Sequence, residues 1–587
     1  MGRRVTAVVA FLIVMGMAFT GLMLVSTAGP VLAADGSFDK STVESTANES
    51  PEANNDAVDN DSDDDSPSPA MTITIGGPNE TAGNLSEEPI GQVTGIHYND
   101  SIDVNQSDGL SEAELEAYVA RSMARTEYLR NLRFTEPISV EVITRETFQA
   151  NLQNESSSDR RNEWENIIWQ ALFVVDSDTD VGEEFDTVHG ESVAGFYDTS
   201  TGNVTIVTEE PDSPVIDNAT LVHELLHGLQ DQHFNLSEER YTASTLDGEL
   251  GTLGLIEGDA DYAMHRYIEY CETEWQCVKT PRDESSPIDP DDLNMGIWAL
   301  KFQPYSDGPA YVHEHVTMDG WESIDAKYAE PPTTTREIIN RESFDRTPIN
   351  YSDTATDNWS RYTEFGVNGA ERVGEAAVFT MFWYQELEYG VGDFSAETIF
   401  TLETHPYSQY QYTGSVSQGW EDDVLVPYVN AETGDHGYVW QIRWEETDQA
   451  AQFKQNIDVM LGGHAGSRYD RSTWQVGSGG YDGAYRVHRS ERTVTIVFGP
   501  DVGALADIRP DIEPERTPPR ITDDLLDPVQ PVDPVDFSDI EFGSAPDQPP
   551  ANGSDGDGPS PSLPSLIAIA AFALLALLLG IFGRDHF

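Results

Sequence analysis

His223-Glu224-Leu225-Leu226-His227 is the segment of this chain whose residue types and spacing best fit chemistry. On a helix, two residues four apart lie about 40° apart around the axis, so both imidazoles face one way. They can bind one Zn²⁺ through neutral ring nitrogens. Glu224 falls beside such an ion rather than on it, where it can serve as general base toward water that the ion acidifies. The flanking Leu221, Val222, Leu225, Leu226 and Leu229 are apolar, as a buried helix requires. Asp217 or Asn218 can cap its start.

A catalytic zinc takes a third protein ligand and keeps one position open. Two residues compete for that role. His233 stands six after His227, the spacing of HExxHxxGxxH, but Gln230 occupies the place of the glycine that turns the chain there. On an unbroken helix, six residues rotate by about 600°, which aims His233 away from His227. Glu257, in LGLIEGDADYAMHRY, precedes Asp261 by four and shares a helix face with it. Glu257 would ligate the metal and Asp261 would hold a ligand histidine by its other nitrogen, so Glu257 is favoured. His313-Glu314-His315 forms another cluster, yet consecutive side chains cannot share one helix face, and a solvated patch is expected. Cys271 and Cys277 are the only cysteines. Outside the cell they suit a short-loop disulfide.

The elements that must position these residues are readable in outline. Residues 193–198 and 203–207 are strand candidates joined by TSTG, a hairpin signal, and a helix over 218–232 follows them. Upstream, 111–134 has helical periodicity with a capping-box start, Ser111-x-x-Glu114. A strand is expected at 138–143 and a helix at 163–175. Helices are expected across 253–388. Residues 410–505 read as a small α/β domain, with strands at 438–444 and 492–499 and a helix at 448–460. Trp383, Tyr384, Trp420, Trp440 and Trp444 are read as core.

With HELLHGLQDQHF at 223–234 and IEGDA at 256–260, the chain resembles the gluzincin branch of zinc metallopeptidases, which is thermolysin-like in its HExxH plus Glu-x-x-x-Asp arrangement. Further blocks are similar to uncharacterised exported bacterial and haloarchaeal proteins: VAGFYD (193–198), QPYSDGPAYV (303–312), GWESIDAKY (320–328) and PPTTTREII (331–339). This likeness spans about 190–390, with a weaker match at GWEDDVLV (419–426). It implies an α+β, zincin-like, two-lobed metallopeptidase domain over 111–403: a mixed sheet with the active-site helix, a helical second lobe, and the metal between them. By residue, it implies zinc ligation at His223, His227 and Glu257, the base role at Glu224, and support of a ligand by Asp261. No residue matches the Tyr or His that stabilises the oxyanion in that family; His265, Tyr305 and Tyr311 are read as packing residues.

Composition bounds the partners. The 587 residues include 104 Asp plus Glu against 32 Lys plus Arg, a formal net charge of −72. Nothing here could neutralise a run of phosphates, so nucleic acid and anionic lipid surfaces are excluded as partners. Such acidity along the whole chain resembles proteins of extreme halophiles, whose like-charge repulsion molar salt screens. The start, Met1-Gly-Arg-Arg4 followed by an apolar run, reads as a signal peptide over 1–33. A disordered acidic stalk is expected over 34–110 and a Pro/Asp-rich linker over 506–564. Residues 565–582, SLIAIAAFALLALLLGIF, carry no charge and just suffice for a transmembrane helix. Thirteen Asn-x-Ser/Thr sequons fit an exported chain. The expectation is an extracellular zinc metallopeptidase on the outer face of the cytoplasmic membrane, tethered through one C-terminal helix and acting on peptides or proteins. The alternative is a non-catalytic envelope or adhesion protein on the same scaffold.

Overall fold

Residues Met71–Ile75 form the first strand, β1, whose MTITI alternation turns Ile73 and Ile75 inward. The computed structural model describes residues 71–77, 85–153, 158–281, 293–356, 358–392, 395–396, 399 and 405–515. A short ribbon pairs β2 (Gln92–Val93) with β3 (Ile96–His97). Helix α1 (Glu112–Arg130) opens with the expected capping box at Ser111 and Glu114. Then come β4 (Ile138–Thr144), α2 (Arg145–Gln153), α3 (Asp159–Ala171), α4 (Val181–Ser192), β5 (Gly195–Asp198) and β6 (Asn203–Thr208). The expected hairpin is present: β5 and β6 are antiparallel, with Phe196 opposite Thr205. The sheet order is β1-β4-β6-β5, with β4 and β6 parallel and both edge strands antiparallel to their neighbours.

Five helices follow this sheet: α5 (Asn218–Phe234), α6 (Leu246–Thr273), α7 (Met295–Asp319), α8 (Trp321–Ala329) and α9 (Thr335–Asn340). After β7 (Trp359–Arg361) and α10 (Gly374–Tyr389), the chain builds β8 (Trp420–Asn430), β9 (His436–Trp444), α11 (Thr447–Gly463), β10 (Ser467–Arg468), β11 (Thr473–Val476), β12 (Gly483–Ser490), β13 (Thr493–Gly499) and α12 (Val502–Ile508). These strands form an antiparallel sheet in the order β10-β11-β12-β13-β9-β8-β7. The architecture is mixed α+β.

Three expectations differ from what is observed. The stalk was expected to run to residue 110, yet β1 pairs along its whole length with β4, and Leu85, Val93, Gln106 and Leu110 are buried. Five alternating residues and a few apolar anchors suffice once a sheet edge offers backbone partners. The linker expected from residue 506 begins later, because α12 buries Leu505 and Ile508 and the Arg509 guanidinium donates to the Ser352 carbonyl. The division expected between 403 and 410 does not separate two cores. One apolar cluster joins Trp164 and Trp169 of α3, Ile297 and Trp298 of α7 and Phe379 and Trp383 of α10 to Trp420, Trp440, Trp444 and Phe453. The five aromatics read as core are all buried there.

Among the described residues no helix is long and apolar enough to cross a membrane. The segments expected as signal peptide (1–33) and transmembrane helix (565–582) lie outside the described residues, as do residues 34–70 of the stalk and 516–564 of the linker.

Candidate metal centre

Helix α5 starts where the carboxylate of Asp217 accepts from the backbone N–H groups of Ala219 (2.8 Å) and Thr220 (3.3 Å). Its Leu221, Val222, Leu225, Leu226 and Leu229 are fully buried. Gly228 seats it closely on the first sheet: a Cβ there would stand 2.9 Å from Ile138 Cδ1. Helix α6 is packed by a similar device. A Cβ on Gly258 would lie 2.4 Å from the carbonyl carbon of Gly308 in α7. The two backbones touch at that crossing, one residue from Glu257.

The two helices bring three donor atoms together. His223 Nε2 and His227 Nε2 are 2.9 Å apart, and each is 3.2 Å from Glu257 Oε2. All three side chains are fully buried. The outer nitrogens fix the tautomers. His223 Nδ1 lies 2.8 Å from Asp261 Oδ1, and a carboxylate accepts. His227 Nδ1 lies 2.9 Å from Gln230 Oε1, while the Gln230 amide donates to the Ile256 carbonyl at 2.9 Å. Both Nδ1 atoms therefore carry the hydrogen, and both Nε2 lone pairs point inward at the carboxylate. With the imidazoles neutral, three acceptors converge, an arrangement that a cation relieves; against the effect of burial, the carboxylates around them also push both imidazoles up, so a proton competes for the same Nε2 positions. His223, His227 and Glu257 could hold a metal ion.

Glu224 stands beside this group with both carboxylate oxygens buried and without a hydrogen-bond partner. Burial pushes its carboxyl up to about 7 against the pull of the two imidazoles. Glu257 goes the other way: burial opposes ionisation, but with His227 and His223 protonated their charge and hydrogen bonds hold it down to about 2. An orphaned buried carboxylate is costly to keep, and its retention here needs a reason other than stability.

Of the two residues weighed as third ligand, the fold brings Glu257 and not His233 beside the histidines. Helix α5 runs unbroken through Gln230, and His233 Nε2 sits 2.7 Å from the Arg133 carbonyl near the helix end. Tyr305 lies against the group, its ring 6.2 Å from that of His223 at 23°. Tyr311 packs on His315, and His265 faces Tyr407. The cluster expected as a solvated patch is half-buried: the His313 ring is 4.9 Å from that of His405, and Glu314 pairs with Arg341 at 2.8 Å. Cys271 and Cys277 form the expected disulfide. Sequence reasoning missed Gln230 as a support of His227. The available signal was its i+3 spacing from that histidine on the same helix.

Residues 360–509 match the model of a domain of unknown function, DUF8575. That span takes in most of β7 and everything through α12, and it leaves out His223, His227 and Glu257. No curated protein and no solved structure matches the chain.

Proposed function

We propose that this chain is a zinc-dependent metallopeptidase on a two-lobed, zincin-like scaffold of the gluzincin kind, held on the outer face of the cytoplasmic membrane by residues 565–582. The observation that carries this reading is the pairing of a buried three-acceptor group with a neighbouring carboxylate that the protein itself leaves unbonded. The three donor atoms stand 2.9–3.2 Å from one another, close enough for His223, His227 and Glu257 together to hold one small ion that takes nitrogen and oxygen ligands, as zinc does. A zinc ion held there would polarise a peptide carbonyl and acidify water near neutral pH.

The remaining work belongs to the chain. Glu224 takes a proton from the attacking water at a carboxylate oxygen and passes it to the departing amine. Asp261 and Gln230 keep the imidazoles in the ligating tautomer. The substrate is a peptide or protein. In the first sheet β5 is an edge strand, so an extended peptide can add to it by backbone pairing. The test is digestion of casein or a peptide library in molar salt. Glu224→Ala should keep the metal and the fold and lose activity by several orders of magnitude, since the general base is gone. Cleavage near the wild-type rate would sink the mechanism.

A second reading rests on burial. His223, Glu224, His227 and Glu257 are all fully enclosed, which also suits a structural ion in a non-catalytic surface protein. Ligation alone does not require Glu224, so equal inactivity of wild type and Glu224→Ala, with the metal retained, would favour that reading.

A further inference from the structure

Helix α1 carries Arg121 and Arg125 one turn apart, each only 1% exposed. The nitrogens of Arg125 all have partners. Its Nε donates to the Tyr98 carbonyl (2.9 Å), Nη1 to the Tyr267 hydroxyl (3.2 Å) and Cys277 Sγ (3.3 Å), and Nη2 to the Gln276 carbonyl (3.1 Å). Its guanidinium also lies 4.5 Å from the Trp275 ring centroid. Arg121 is different. Its Nη1 donates to the same Gln276 carbonyl at 3.1 Å, while Nε and Nη2 are buried with no partner. Those two nitrogens form one edge of the planar guanidinium, the fork that grips an anion with two parallel N–H bonds.

Charge makes the same point. Arg130, further along α1, is buried against Asp259 and Asp325 at 2.9 and 2.7 Å. Neither Arg121 nor Arg125 has such a partner among the described residues, in a chain with 104 carboxylates to choose from. Burial, and next to it the charge of Arg125, pull the Arg121 guanidinium down to about 10. Two enclosed cations without a counterion are expensive, and a half-used donor fork adds to that cost.

We propose that the Arg121 fork, backed by the charge of Arg125, is a binding site for one small inorganic anion of chloride's size. The two free nitrogens are themselves fully buried, with the buried Tyr118 and Tyr267 close to the guanidinium, so the occupant argued for is a small one. The site has a structural reach. The Tyr267 hydroxyl donates to Asn218 Oδ1 (3.1 Å), and the Asn218 amide donates to the Val278 carbonyl (2.6 Å). Asn218 is the first residue of α5, the helix that bears His223 and His227. The anion would thus clamp α1, the disulfide-closed segment at 275–278, and the start of that helix.

The probe is bromide. Crystals of the protein grown in sodium bromide should show an anomalous bromine peak within hydrogen-bond reach of Arg121 Nε and Nη2. In solution, Tm should stand about 2–4 °C higher in bromide than in gluconate at equal sodium, and Arg121→Met should remove that difference. Absence of the peak, a side-chain carboxylate in the fork, or a halide gain unchanged in Arg121→Met would each overturn the proposal. If Arg121→Met does not fold, the anomalous map of the wild type decides alone.

Discussion

Replacing Gln230 with methionine tests how the proposed metal-binding group is held. Gln230 bridges two helices: its Oε1 takes the His227 Nδ1 hydrogen at 2.9 Å, and its amide donates to Ile256 of α6 at 2.9 Å. Methionine fills a similar volume and keeps neither bond. It leaves the His227 Nδ1–H without an acceptor in a fully buried place. An orphaned buried donor costs roughly 1–3 kcal/mol, which is about 5- to 150-fold in an equilibrium constant. The ordinary penalty for losing such an outer partner of a metal ligand, about 10–100-fold in metal affinity, falls inside that window. The assay is zinc competition with a calibrated chelator at fixed neutral pH in molar salt, with circular dichroism as a control on the fold. An affinity within about twofold of wild type, on an unchanged fold, would refute the bridging role of Gln230 and the tautomer assignment that rests on it.

Two further outcomes are expected. Under the proposed zinc binding, Glu257→Ala should empty the site, whereas His233→Ala should leave the metal content unchanged, because His233 is engaged with the Arg133 carbonyl; the reverse pattern in dialysed protein would withdraw the role given to Glu257. Glu371 should make the folded chain sensitive to alkali. Burial pushes its carboxyl up to about 8 against the opposing N–H groups of Leu246 and Arg372. A carboxyl whose folded value exceeds its unfolded one contributes stability that is full below about pH 4.5 and lost as pH rises through about 8. Glu371→Gln keeps an acceptor for both N–H groups, so its melting temperature should fall less than wild type between about pH 5 and 9; parallel curves would contradict this.

The most local features were legible in the sequence. HELLH between apolar neighbours, Asp217 ahead of it and the TSTG hairpin before it each depend on residues within a few positions of one another, and each stands where expected. That Glu257 rather than His233 would stand beside the two histidines was legible too, because it turned on one glycine absent at position 230. What escaped depends on distant partners. MTITI at 71–75 sits in an acidic, apolar-poor stretch and becomes a strand only because β4 offers it an edge. The tie between Gln230 and Ile256 joins two helices whose mutual placement no local pattern states. The tryptophans of 420–444 mark a core, but not that α3, α7 and α10 share it.

The close seats of α5 and α6 have a consequence for ion selectivity. Gly228 leaves α5 no room to approach the first sheet, and the contact of Gly258 with Gly308 leaves α6 no room to approach α7. The donor triangle is therefore a gauge of fixed width, with edges of 2.9–3.2 Å. If it holds a metal, so narrow a set of two imidazoles and one carboxylate suits small ions that bond at roughly 2.0–2.1 Å. Calcium, which bonds at about 2.3–2.6 Å and needs 6–8 oxygen donors, would be poorly served by a set with a single carboxylate. Where alkaline-earth cations greatly outnumber transition metals, discrimination between them would come from helix spacing rather than from affinity at any one ligand.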